Sequence, residues 1–106
     1  MTHLIRIRDE DVVGDNTLDM AVLDYIDGKK LFPDLNLLDR DLRTAKDIAL
    51  GRMQFCADFL SKEIDKATKQ QKDPDPETLR QYVKRIWRAY LLYETCHERQ
   101  EIYKMM

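Results

Sequence analysis

The chain has 106 residues, 36% of them charged, only three glycines and three prolines, and a net charge of −2. One domain with a modest core fits that length, and the charge content with scarce turn residues suits solvated helices rather than strands or disorder. The small net charge argues against wholesale binding to nucleic acid or anionic membranes, although it hides an asymmetry. Residues 1–50 carry 11 acids and 7 bases, and residues 51–106 carry 9 acids and 11 bases, so the two halves can attract each other or a second copy.

The N-terminus, Met1 to Arg8, lacks the apolar stretch and cleavage site of a secretory leader, and no apolar run approaches the ~18 residues of a membrane span. Two cysteines, Cys56 and Cys96, fall within apolar helical stripes. Without a leader they read as reduced packing residues, and the cytoplasm is the expected setting.

Taken in chain order, His3 to Arg8 alternates Ile5 and Ile7 with Arg6 and Arg8, a short stretch of strand periodicity. One short strand cannot be satisfied alone, so residues 1–15 are read as an extended arm. A short helix follows over 16–28, capped by Asn16 or Thr17, with Asp19 in its first turn and Gly28 as the left-handed stop. Phe32 and Leu35, in the connector, are expected to tuck under the long helices.

The spacing predicts a long helix over 36–69. Its stripe runs through Leu42, Ala45, Ala49, Met53, Cys56, Leu60 and Ile64 in steps of three and four, broadened by Phe55 and Phe59. Gly51 in mid-helix costs about 1 kcal/mol relative to alanine, and a close crossing beside Tyr93 and Glu94 would explain it. Residues 68–76 read as a turn. Asp75-Pro76-Glu77 then has the chemistry of a helix start, opening a second long helix over 75–104. Leu79, Val83, Ile86, Tyr90, Tyr93 and His97 form a heptad-like seam along it.

The expected fold is therefore all-α: an arm, a short helix and a long antiparallel helical hairpin, with two hairpins packing as a dimeric four-helix bundle or one docking on a larger protein partner. Leu42, Met53, Phe59, Leu60, Val83, Ile86, Tyr90 and Tyr93 are the expected core or interface residues.

Three constellations bear on function. Glu94-x-x-His97 puts a carboxylate and an imidazole on one helical face, the arrangement that di-iron carboxylate bundles use, so Glu94 and His97 are candidate metal ligands. Against this, there is a single copy, and the hairpin register leaves Asp58 and Glu63 several turns away. Arg80, Lys84 and Arg88, flanked by Arg85, form a basic stripe that can track phosphates, which makes these four the candidate nucleic-acid contacts. The sequence holds no glycine-rich phosphate loop, no Ser/His/Asp set and no zinc-ligand spacing, so no catalytic residue and no cofactor are assigned. A non-catalytic helical interaction module, acting as adaptor, regulator or accessory subunit, is the function these features fit best.

Overall fold

The structure, a computed structural model, describes residues 17–33 and 39–105. The expected arm, Leu35 and the first residues of the predicted second helix lie outside the described residues. Within them the fold is all-α: helix α1 spans Thr17–Ile26, α2 spans Asp39–Lys69 and α3 spans Pro76–Met105, and no strand occurs among the described residues.

Each boundary has a local cause. Helix α1 ends at Gly28, whose φ of 84° is the left-handed conformation only glycine adopts without cost. The Gly28 amide donates to the Tyr25 carbonyl and the Lys29 amide to the Asp24 carbonyl, the paired bonds of a Schellman stop. Helix α2 closes the same way, with the Lys72 amide donating to Ala67 and the Gln71 amide to Thr68. There the left-handed position is held by Gln71, at φ 56°, and a side chain in that conformation costs about 1–2 kcal/mol. Helix α3 opens on Asp75, whose Oδ2 accepts from the Thr78 amide at 3.0 Å and the Thr78 hydroxyl at 2.7 Å. Pro76 sits at the first helical position, where its missing N–H is no loss.

Helices α2 and α3 lie side by side, early residues of one against late residues of the other. Lys46 Nζ reaches Gln100 Oε1 at 2.8 Å, and nearer the turn the Phe59 ring stacks on Tyr82 with centroids 4.2 Å apart. Helix α1 lies across the end of this pair remote from the turn. Leu18, Val22, Tyr25 and Ile26 of α1 join Leu42, Ala45 and Ala49 of α2 and Ala89, Leu92 and Cys96 of α3 in one core. Three alanines in that set let the helices approach closely, and each fully buried leucine or isoleucine contributes about 1.5–3 kcal/mol.

The core does not extend along the whole pair. Between Met53 and Arg88 only Cys56 and Ala67 are buried. Past Arg52 helix α2 runs on for about five turns, and α3 begins about two and a half turns before Arg85, with no third helix over these parts among the described residues. The radius of gyration is accordingly 16.4 Å, against about 13 Å for a compact domain of this length. The molecule measures 54 × 32 × 20 Å, and its thin dimension is close to two helix diameters.

Gly51 departs from expectation. Its side of α2 faces away from the core, and a Cβ built there meets nothing within 4 Å. No close crossing with Tyr93 or Glu94 requires it. Phe32 departs too: it lies edge-on to Tyr25 of α1 with centroids 4.8 Å apart and is 38% exposed, rather than tucked under the long helices.

Candidate interaction surface

At roughly 100° per residue, the contacts fix which edge of each long helix meets α1. Asp27, just past the end of α1, faces Arg52 of α2 at 3.4 Å and Arg85 of α3 at 3.8 Å. Arg88 Nε donates to the Ile26 carbonyl at 2.8 Å and caps the last turn of α1. Its guanidinium passes so close to Gly28 that an added Cβ would sit 3.0 Å from Nη2, a second reason for glycine there. The α1 side is thus the Arg52 edge of α2 and the Arg85–Arg88 edge of α3.

Among the described residues the opposite edges have no such cover. On α2 they present Lys46, Leu50, Met53 and Leu60, and on α3 Val83, Trp87, Tyr90 and His97. The pairing of Lys46 with His97 sets the register and places Met53 level with Tyr90 and Leu60 level with Val83. Val83 is 55% exposed, Trp87 59% and Tyr90 43%, and Leu50 and Ile64 of the same side are exposed as well. Trp87 and Tyr90 stack on each other with centroids 5.9 Å apart, so the patch has an ordered aromatic centre.

Of the residues expected at the seam, Leu42 is buried and Met53, Phe59, Leu60, Ile86 and Tyr93 are half-buried. Val83 and Tyr90 are exposed. The face of α3 that packs inward is a different line, Ala89, Leu92, Cys96 and Gln100, turned about a quarter of the circumference from the heptad line. Helix α3 therefore has two apolar lines, one used within the chain and one left over.

At the end of the uncovered edge, Lys46 organises a small polar cluster. Its ammonium lies 3.1 Å from His97 Nδ1, 2.8 Å from Gln100 Oε1 and 5.2 Å from the centre of the Tyr93 ring. An ammonium only donates, so Nδ1 accepts and the ring proton sits on Nε2, with Glu101 Oε2 at 3.9 Å. The nitrogen facing the chain is therefore engaged by a cation. Glu94 and His97 gain no third ligand: no group of three His, Cys, Asp or Glu side chains suited to a metal ion occurs among the described residues. Lys46 itself is invisible to a motif search, because one lysine in a charged helix has no signature.

The predicted basic stripe is divided. Arg85 and Arg88 turn towards the end of α1, while Arg80 pairs with Glu77 in the first turn of α3. Lys84 is left exposed, without an ion pair to another described residue. Both cysteines are free and buried. Burial pushes the Cys96 thiol up to about 11 against the pull of Lys46, and burial likewise raises Cys56, so neither presents a thiolate.

No family model, curated protein or solved structure is matched by this chain. No helix of the described residues is long and apolar enough to cross a membrane.

Proposed function

We propose that the protein is a small non-catalytic helical interaction module, an adaptor, regulator or accessory subunit, acting in the cytoplasm through the uncovered face of its α2–α3 hairpin. The observation that carries this reading is the exposed line Val83, Trp87 and Tyr90, on the side of the pair that α1 does not reach. Contiguous apolar surface of this kind is costly in water and marks an interaction site. Aromatic residues at its centre are the side chains that dominate binding energy where chains meet. Covering the face gives the four-helix bundle, either as a homodimer or on a larger protein.

Native mass spectrometry of untagged protein from its own cells tests the reading. The expected result is a particle heavier than the 12.7 kDa chain, reduced to the bare chain by Trp87→Glu with helical content unchanged. Wild-type protein recovered only as the bare chain would overturn it.

A further inference from the structure

We infer that the partner on this face is a second copy of the chain, docked with its α3 antiparallel to the first across a twofold axis. The inference rests on the interaction reading above and adds the occupant and the orientation.

The outer edge of α3, which borders this face at Trp87, follows a heptad line, Arg80, Lys84, Trp87, Leu91, Glu94 and Glu98, in steps of four and three. Both basic residues lie at the turn end, both acidic residues at the far end, and the apolar pair lies between. Such a line is complementary to itself when reversed. With Trp87 of one copy level with Leu91 of the other, Lys84 comes level with Glu94 and Arg80 with Glu98. The twofold repeats each pairing, as an isologous interface requires. A parallel arrangement would instead set Arg80 beside Arg80, Lys84 beside Lys84 and Glu94 beside Glu94.

Lys84, Glu94 and Glu98 make no ion pair with another described residue, so their charges are available to a partner. Arg80 already pairs with Glu77 in its own helix, so in the dimer it is shared between Glu77 and Glu98 of the other copy; at the last level Glu77 meets Glu101, which has Lys104 beside it. The stacked Trp87 and Tyr90 rings lie at the middle of the line, where the axis passes and water is most fully excluded.

Charge exchange tests the orientation, read by sedimentation equilibrium with circular dichroism as the folding control. Wild-type protein is expected at twice the chain mass. The double variants Arg80→Glu/Lys84→Glu and Glu94→Lys/Glu98→Lys are each expected to bind themselves roughly 100-fold more weakly, since like charges then face each other at four places. An equimolar mixture of the two is expected to recover the dimer, and so is one chain carrying all four substitutions. That last variant keeps the test decisive if a double variant folds poorly. A self-associated wild type whose dimer survives either double substitution, or is not recovered in the mixture and the combined chain, overturns the antiparallel pairing. A wild-type assembly containing a different protein overturns the second copy while leaving the interaction reading intact. A bare monomer overturns both.

Discussion

Gly51 and Gln71 sit in each other's natural places. A glycine occupies the exposed middle of α2 with nothing near its missing Cβ, and a glutamine holds the left-handed residue that ends the same helix. Because no neighbour needs the space at 51, Gly51→Ala is expected to stabilise the chain by about 1 kcal/mol, seen as a higher urea midpoint with unchanged slope. A loss of stability would mean that a close approach exists at that position. In the sequence a close crossing would explain Gly51, because the hairpin register sets it beside Tyr93 and Glu94. What the sequence could not contain was which way residue 51 faces, since helical periodicity defines a stripe but not the neighbour it meets. Gly28 was legible for the opposite reason: a glycine just past an apolar face is a local signal, and local bonds satisfy it.

At the scale of elements, the same division holds. The Asp75-Pro76-Glu77 start was legible because capping depends on a few adjacent residues, and the Asp75 carboxylate accepts both bonds from Thr78. Those bonds, first the side-chain one, hold the Asp75 carboxyl below the usual carboxylate range. A lowered folded value means the stabilisation is complete above the unfolded value and is lost as the pH falls through the folded one. Asp75→Ala is therefore expected to melt at a lower temperature than wild type at neutral pH. That gap should narrow when both are measured in acid below about pH 3.9. An equal gap at both pH values would show that the carboxylate is not the cap. Less legible was the inward face of α3. Large side chains at heptad spacing drew attention to Val83, Ile86 and Tyr90, while the packed line is made of Ala89, Leu92, Cys96 and Gln100. Small and polar residues weigh little in a hydrophobic pattern, yet close helix packing selects them. Gln100 can be buried only because Lys46, more than fifty residues earlier, donates to it.

For the whole molecule, what matters is that, among the described residues, one short helix covers only part of a long pair. Helix α1 closes the end remote from the turn and leaves an apolar edge from Val83 to Tyr90 beyond its reach. Val83 and Tyr90 of the heptad line that suggested a core in the sequence are exposed in the structure beside Trp87, while Ile86 and Tyr93 of the same line are half-buried, and that exposed part is the physical basis for assigning the face to another chain. Trp87 is the only tryptophan of the 106 residues and stands 59% exposed at the centre of that face, so its fluorescence reports directly on whether the face is covered. The decisive measurement is the emission of Trp87 in the natively purified particle, followed through dilution. The predicted result is blue-shifted emission shielded from acrylamide, turning red and quenchable as the assembly dissociates. Red, freely quenched emission at every concentration, from a particle of the chain's own mass, would contradict the proposal that this face meets a partner.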